Sequence, residues 1–357
     1  MTPAGDPADL EALAAADRLL PDLLDRVGAK ANRDQLTDIL QTALRLARGA
    51  ADRLDLKITN AALREMADAF EVFAPYRTVP KVTIFGSART LPDDPLYAQA
   101  RSAARALAES GWMVITGAGP GIMMAAQEGA GPGRSFGVNI RLPFEQGANE
   151  FIAEDPKLVE MKYFFTRKLM LMKESDGFIV LPGGFGTLDE AFELLTLVQT
   201  GKAEPAPIVL LDVHSDSYWR RWEHFVDDAV ARRGLISPED RAFYTITDDA
   251  ETAAAAVLSF YRNYHSSRWV GDILVLRLKT EPTDEQAHDL SRRFADISLS
   301  GRIERSRALP VEVRSHDHED LPRLTLMFDR RSFGRLRQLI DAINELPGAP
   351  AKGEPPR

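Results

Sequence analysis

This 357-residue chain contains no cysteine, no long apolar run and no excess of basic residues. The absence of cysteine excludes disulfides, thiolate zinc sites and cysteine nucleophiles, and it fits a reducing cytosol. No stretch of about 18 uninterrupted apolar residues occurs, so no membrane span is expected. The first twenty residues lack a basic segment followed by an apolar one, so no secretory signal is expected. We therefore expect a cytoplasmic protein.

The charge balance is acidic. The chain has 44 Lys and Arg against 53 Asp and Glu, a formal net charge of −9, and its sequence pI is about 5.3. This balance argues against a protein that wraps the backbone of DNA or RNA, although a local basic pocket is compatible with it. Hydrophobic residues make up 45% and charged residues 27%, values typical of a globular protein with a sizeable core.

The pattern of apolar residues changes three times along the chain. Residues 1–75 show helical spacing, as in "RDQLTDILQTALRLARGAADRL", which indicates about three helices that serve packing or oligomerisation. Residues 80–264 alternate short apolar runs with helical segments, which predicts a Rossmann-like, doubly wound parallel α/β sheet. Residues 270–346 read in the order β-α-β-β-α and predict a small α+β domain of ferredoxin-like or ACT-like type. A disordered tail is expected at 347–357.

One corner between a strand and a helix carries three glycines. The stretch "FIVLPGGFGTLDEAFELL" (178–195) is an apolar run, then "PGGFGT", then a helical pattern. Glycines allow a sharp turn and a close approach to the backbone, and a helix N-terminus presents free N–H groups and a partial positive charge. The corner therefore predicts a phosphate site. It is not a triphosphate loop, because no Gly-Lys-Ser/Thr follows.

Glu190, which follows this corner, has two interpretations. Thr187-x-x-Glu190 matches a capping box, in which the two side chains close the start of the helix. Alternatively, Glu190 acts on a sugar phosphate bound at the corner. A fixed carboxylate stabilises the oxocarbenium-like state of N-glycosidic bond hydrolysis and orients the attacking water. The sequence leaves both open.

Two further glycine turns follow predicted strands. "GSAR" (86–89) contains Gly86 and Ser87, and "TGAGPGIMMAA" (116–126) contains Gly117, Gly119 and Gly121. The second is not a dinucleotide fingerprint, because Ile122 occupies the place of the third glycine. Since the carboxyl ends of parallel strands meet at one sheet edge, we expect all three turns to form one site.

The stretch "TRKLMLMKESDGFIVLPGGFGTLDE" resembles the signature of the LOG family, RKxxM followed by PGGxGTxxE. "IFGSAR" and "TGAGPGIMMAAQEGA" support the resemblance, which covers roughly residues 80–262. It implies a homodimeric Rossmann-like enzyme that hydrolyses nucleoside 5′-monophosphates, such as AMP or a cytokinin riboside monophosphate, to free base and ribose 5-phosphate. No metal or redox cofactor is implied.

The resemblance also assigns roles to residues. The family's catalytic Arg and Glu fall on Arg167 and Glu190. Its phosphate-binding loop falls on Gly183, Gly184, Gly186 and Thr187. Further substrate-binding positions fall on Gly86, Ser87, Gly117, Gly119, Gly121, Lys168 and Met170. The chain departs from the family pattern at Met124, where many members have Glu. The resemblance implies that this difference affects recognition of the base or ribose.

Three other functions are considered. The first is a nucleotide sensor that binds without turnover; Met124 and the extra segments favour it, and a nucleotide effector at the C-terminal domain fits it. A dinucleotide-dependent oxidoreductase is disfavoured by the broken fingerprint. A pyridoxal-phosphate decarboxylase is rejected because no His-Lys pair occurs in the chain.

"SHDHED" (315–320) could hold a metal, but a solvated turn is favoured.

Overall fold

A computed structural model describes residue 15 and residues 17–141, 147–213 and 218–350. It divides into two compact units, of which one ends at Arg64 and the other begins at Glu65. Parts of two predicted segments lie outside the described residues: positions 1–14 of the N-terminal segment, and 351–357 of the predicted disordered tail. No helix of the described part is long and apolar enough to cross a membrane.

The N-terminal segment is helical, as its apolar spacing predicts. Its helices are α1 (Leu20–Arg26), α2 (Arg33–Arg48) and α3 (Arg53–Phe73). A 3₁₀ turn, Ala74–Tyr76, then leads to the first strand.

A seven-stranded parallel sheet forms the centre of the second unit. Its strands are β1 (Lys81–Phe85), β2 (Met113–Thr116), β3 (Ser135–Ile140), β4 (Leu158–Met161), β5 (Gly177–Val180), β6 (Ile208–Leu211) and β7 (Tyr244–Thr247). They lie in the order β4-β3-β2-β1-β5-β6-β7. Every residue of β1, β2, β5 and β6 is buried, which explains why these strands are mainly apolar. The predicted α/β class is confirmed.

Helices cover both faces of this sheet, as in doubly wound folds. One face packs against α4 (Pro95–Glu109), α5 (Ile122–Ala130) and α9 (Ala250–Phe260). The other packs against the end of α3, α6 (Phe164–Lys173), α7 (Phe185–Gln199) and α8 (Tyr218–Phe225). The stretch "VEMKYFF" (159–165) has the sequence character of one strand, but β4 ends at Met161 and α6 begins at Phe164. The apolar run there straddles the end of a strand and the start of a helix.

A small antiparallel sheet follows, as predicted, with a different element order. Its elements are β8 (Tyr264–Val270), β9 (Ile273–Leu278), α10 (Asp284–Arg293), β10 (Glu304–Ser306), α11 (Pro310–Arg314), β11 (Arg323–Leu326) and α12 (Phe333–Asn344). The strands lie in the order β10-β11-β9-β8. The predicted order β-α-β-β-α lacks β8 and α11. The strand β8 starts before the predicted boundary at 270 and pairs with β9 in a hairpin at Gly271, whose φ is +59°.

Candidate active site

The three glycine turns meet at the carboxyl edge of the parallel sheet. Strand β1 pairs with β2 on one side and with β5 on the other, so the strand order reverses direction here, where ligands of open α/β sheets bind. The turns are joined directly: the Ser87 amide donates to the Pro182 carbonyl at 3.2 Å. The Ile122 amide donates to the Ser87 carbonyl at 3.0 Å.

Two of the glycines are required by close contacts. Gly121 has φ +68°, and a Cβ there would lie 2.4 Å from the Ser87 carbonyl oxygen. A Cβ on Gly117 would lie 2.0 Å from Nη2 of Arg167. Any side chain at 121 would separate the first two turns, and one at 117 would displace the arginine.

A cavity of 780 Å³ opens between these turns, within the usual size of sites for small molecules. Nine of the predicted site residues line it: Gly86, Ser87, Gly117, Arg167, Gly183, Gly184, Gly186, Thr187 and Glu190. The other four, Gly119, Gly121, Lys168 and Met170, do not. The chain therefore brings predicted site residues from four separate segments to one concave surface.

Helix α7 begins at the glycine corner without a side-chain cap. Its N-cap is Gly184, which provides no side-chain cap hydrogen bond. Thr187 lies inside the helix, so the predicted capping box of Thr187 and Glu190 is wrong. Because the helix starts at Phe185, the N–H groups of its first turn lie at the cavity corner with no acceptor from a cap. This is the arrangement that binds an anion. Among the loop glycines, a Cβ at Gly184 or Gly186 would meet open space.

Glu190 lies one helical turn beyond Thr187 on the same face of α7. It is only 6% exposed, and its Oε2 atom is buried without a hydrogen-bond partner. Burial raises the pKa of Glu190 to about 7, although the positive charges of Lys168 and Arg167 oppose the shift. A buried carboxyl that lines a cavity, has a free oxygen and titrates near neutral pH has the properties of an acid–base or electrostatic catalyst.

Lys168 forms ion pairs with carboxylates of α7. Its Nζ lies 2.8 Å from Asp189, 2.5 Å from Glu193 and 3.9 Å from Glu190. Burial opposes the charge of Lys168, but hydrogen bonds to Asp189 and Glu193 raise its pKa above the ordinary value. The lysine joins α6 to α7 and places a positive charge beside Glu190, and it does not reach the cavity surface.

Arg167 is half-buried and lines the cavity. Its Nε donates to the Val138 carbonyl of β3 at 2.9 Å, and its guanidinium fills the space beside Gly117. Its charge acts on Glu190. The arginine and the glutamate therefore share one wall of the cavity, as the two predicted catalytic residues should.

The remaining two predicted positions, Met170 and Gly119, do not line the cavity but belong to the elements around it. Met170 is fully buried in the core formed with α3, α7 and the sheet. The Gly119 carbonyl accepts from Nδ2 of Asn149 at 2.8 Å, and the same nitrogen lies 3.0 Å from the Ala118 carbonyl. Asn149 thereby fixes the second glycine turn, which contains Ala118 at φ +62°.

The sequence reasoning did not single out several residues that line the cavity. Arg89 adds a second guanidinium, and it makes no ion pair with the described residues; its place in "GSAR" was the available signal. Tyr218 donates its hydroxyl to the Gly183 carbonyl at 2.8 Å and so holds the phosphate corner. Met123 and Phe164 supply apolar surface. No motif signals Tyr218, because its contact with Gly183 joins distant parts of the chain.

The histidine-rich turn is not a metal centre in the described structure. Nδ1 of His316 lies 2.7 Å from Glu319, and the His316 side chain is largely exposed. Among the described residues, no group of three or more His, Asp or Glu could hold a metal ion. Met124, the departure from the family pattern, lies on α5, packs against the core and does not line the cavity.

Parts of the chain are similar to known proteins. A 75-residue stretch is 45% identical to the cytokinin riboside 5′-monophosphate phosphoribohydrolase LOG3 of Arabidopsis thaliana, and it covers 21% of this chain and 33% of that protein. A 93-residue stretch is 38% identical to the cytokinin riboside 5′-monophosphate phosphoribohydrolase of Rhodococcoides fascians, covering 26% and 45%. The matches thus span between a third and a half of these relatives' length.

Among solved structures, the chain is similar to a molybdenum cofactor binding protein from Rippkaea orientalis. The identity is 20%, the TM-score is 0.36, and the match covers 48% of this chain and 91% of that one. Residues 114–257 match a family model described as "Possible lysine decarboxylase". The match to this model and the similarity to the curated LOG phosphoribohydrolases confirm the resemblance predicted from the sequence.

Proposed function

We propose that the protein is a phosphoribohydrolase that cleaves nucleoside 5′-monophosphates to a free base and ribose 5-phosphate. The observation that carries this proposal is Glu190, a buried residue that lines the cavity beginning at the N-terminus of α7 and whose Oε2 accepts no hydrogen bond from the described residues. The relatives' names supply the reaction class. The choice of AMP, a cytokinin riboside monophosphate or another nucleotide is part of the proposal.

The proposed binding mode starts with the phosphate. The first-turn amides of α7 and the Thr187 hydroxyl bind the monoester, and Arg89 contributes positive charge from the facing turn. Glu190 lies five residues into the helix from Phe185, about 7.5 Å along the axis. A ribose that extends from the phosphate along α7 therefore brings its C1′ towards the Glu190 carboxylate, while the base lies against the apolar surface of Met123 and Phe164.

The proposed chemistry is hydrolysis of the N-glycosidic bond. As the C1′–N bond breaks, the sugar acquires positive charge, and ionised Glu190 stabilises it. The same carboxylate orients the water whose oxygen bonds to C1′. The base leaves with the electrons of the broken bond, and the proton that the water loses is transferred to it. Arg167 and Lys168 help to keep Glu190 ionised. The fully buried Ile122, which stands in place of a third glycine and lies over Gly86, argues against pyrophosphate binding by an oxidoreductase.

A base-release assay tests the proposal. The protein is incubated with AMP, CMP, GMP and isopentenyladenosine monophosphate, and free base is measured by chromatography. We expect release from at least one nucleotide and loss of release in Glu190→Gln. The matched control is Glu285→Gln, on the exposed surface of α10. Nucleotide binding without release from any of the four would instead support the sensor, and undiminished turnover in Glu190→Gln would exclude the proposed role of this carboxyl.

We also propose a homodimer. Large aromatic side chains are exposed beside the cavity: Phe185 is 94% exposed and Phe164 is 53% exposed, and both line it. Neighbouring Phe165 is exposed as well. Exposed aromatic residues in one place mark interaction surfaces. A cytoplasmic location and a nucleotide effector at the C-terminal sheet remain predictions from the sequence.

A further inference from the structure

The helix that carries Arg167 begins without a cap of its own. Tyr163 is the N-cap residue of α6, its backbone is extended, and its side chain makes no cap hydrogen bond. The first turn of α6 contains no acidic residue. A helix start of this kind leaves N–H groups that need an acceptor from elsewhere in the chain.

Glu65, about a hundred residues earlier, supplies that acceptor. Its Oε1 accepts from the Lys162 amide at 3.0 Å, and its Oε2 accepts from the Tyr163 amide at 3.5 Å. The Thr166 hydroxyl lies 2.6 Å from Oε2. A carboxylate at this position also interacts favourably with the positive end of the helix dipole. Glu65 is therefore an N-terminal cap for α6 that comes from α3.

The capped turn is the one that holds Arg167. The Arg167 amide donates to the Tyr163 carbonyl at 3.2 Å, the first backbone bond of α6. From this turn the side chain reaches the Val138 carbonyl and fills the gap beside Gly117. A shift of the first turn would therefore move the guanidinium away from the cavity wall.

Glu65 is itself held in a rigid place. The segment of α3 that follows it, residues 65–73, packs on the sheet through Ala69 and Phe73, which are 0% and 2% exposed. The Phe73 ring stacks on Phe136 of β3 with the ring centroids 4.4 Å apart. Val138, which accepts from Arg167, lies two residues further along the same strand. Strand β3 thus contacts both the end of α3, the helix that carries Glu65, and the side chain of Arg167.

We propose that Glu65 is a positioning residue of the active site: its carboxylate fixes the start of α6 and thereby holds the Arg167 guanidinium beside Glu190. The proposal rests on the proposed function for its kinetic consequence. Its structural consequence, the placement of Arg167, is independent of any activity.

The kinetic test compares Glu65→Ala, Glu65→Gln and the control Asp68→Ala. Asp68 is exposed on the same helix and makes no hydrogen bond or ion pair with the described residues. Because a misplacement of about 1 Å costs about 100-fold in rate, we expect kcat per folded molecule to fall between about 10- and 100-fold in Glu65→Ala, with KM little changed. Glu65→Gln, which keeps one acceptor oxygen, should recover part of the loss. Unchanged kcat in Glu65→Ala of an active enzyme would overturn the proposal.

The structural test needs no turnover. Phenylglyoxal modifies accessible arginines, and mass spectrometry of the peptide that contains Arg167 gives the rate of its modification. At a temperature where circular dichroism shows all variants folded, we expect faster modification of Arg167 in Glu65→Ala than in the wild type or Asp68→Ala. Equal modification rates would overturn the proposal about Glu65, whether or not the protein releases a base. A protein that releases no base would refute only the proposed function.

Discussion

The Glu190 carboxyl is held where its ionised form is costly. Burial raises its pKa to about 7, and Lys168 and Arg167 only partly offset this effect. A carboxyl with a raised pKa binds its proton more tightly in the folded state than in the unfolded state. Its effect on folding is therefore most favourable at low pH, and stability is lost as the pH rises from the ordinary glutamate value through about 7.

This residue yields the first prediction. Glu190→Gln should abolish turnover, yet it should melt at a higher temperature than the wild type at pH 8, because no buried charge forms. At pH 5 the two melting temperatures should converge, since wild-type Glu190 is then neutral. For the active wild type, kcat/KM should rise with pH through an apparent pKa of about 7. Thermal unfolding and initial rates across pH 5–9 test both statements.

The outcome also separates two roles of the carboxylate. If Glu190→Gln is less stable than the wild type at pH 8, the ion pair with Lys168 outweighs burial and the residue contributes to structure. Glu285→Gln, at an exposed position, should show no pH-dependent difference.

Gly117 yields a second prediction at this scale. In Gly117→Ala the new Cβ would overlap Nη2 of Arg167 at 2.0 Å, so the guanidinium must leave its place. We expect a loss of kcat of at least about 10-fold in the base-release assay. Gly147→Ala is the control, because a Cβ there meets open space. If Gly117→Ala keeps wild-type kcat, the observed position of Arg167 is not required for turnover.

Single residues could be predicted from the sequence when their role depends on their own segment. The motif around Arg167 and Glu190 identified two side chains that the fold brings to one cavity. The role of Glu65 could not be predicted, because its partners Lys162 and Thr166 lie about a hundred residues away. The capping box failed for a local reason: α7 starts at Phe185, and Thr187 is already inside the helix.

At the scale of elements, burial decided which strands could be predicted. Strands β1, β2, β5 and β6 are buried along their whole length and are mainly apolar in sequence. Strand β8 is an edge strand of the small sheet with the mixed sequence "YHSSRWV". Only its first two residues are buried, so it has neither an apolar run nor a clear alternation, and the sequence analysis missed it.

The small sheet is tied to α11 by a buried ionic network. Glu312, which is 0% exposed, accepts from Nη2 of Arg277 at 2.7 Å and from Nε of Arg323 at 3.0 Å. Arg277 also contacts Asp317 at 2.6 Å. Burial alone would raise the pKa of Glu312, but the bonds from Arg277, the Leu309 amide and Arg323 lower it below the ordinary value. The Glu312 carboxylate thus binds guanidinium groups on two neighbouring strands, Arg277 on β9 and Arg323 on β11.

We expect Glu312→Ala to destabilise the protein by about 3–5 kcal/mol, because it leaves buried guanidinium groups without their partner. Urea unfolding followed by circular dichroism measures the change. Since the pKa of Glu312 is lowered in the folded state, its contribution is present at neutral pH and is lost as the pH falls through that lowered pKa. The difference from the wild type should therefore shrink in acid.

The control for this network is Glu319→Ala, which removes a carboxylate bonded to the exposed ring of His316. Exposed pairs contribute at most about 1 kcal/mol. A Glu312→Ala variant as stable as this control would show that the small sheet does not depend on its buried carboxylate.

At the scale of the whole molecule, the main feature is the pair of exposed aromatic residues, Phe164 and Phe185, beside the cavity. Phe164 begins α6 and Phe185 begins α7, so the two helices that carry Arg167 and Glu190 also present the exposed rings. Burying such rings in an interface is favourable by about 25 cal/mol per Å² of apolar surface. A second copy of the chain seated there would also shield the cavity from water, which strengthens the electrostatic interactions inside it.

The last prediction concerns this association. The double variant Phe164→Ser and Phe185→Ser should shift the mass measured by light scattering from dimer towards monomer, with a midpoint that moves to higher protein concentration. Phe225→Ser is the control, because Phe225 is 56% exposed on α8 but does not line the cavity. A wild-type mass equal to one chain at every concentration would refute the dimer. A double variant that remains as dimeric as Phe225→Ser would place the interface on another surface, and the two aromatic rings would then be left to contact the ligand.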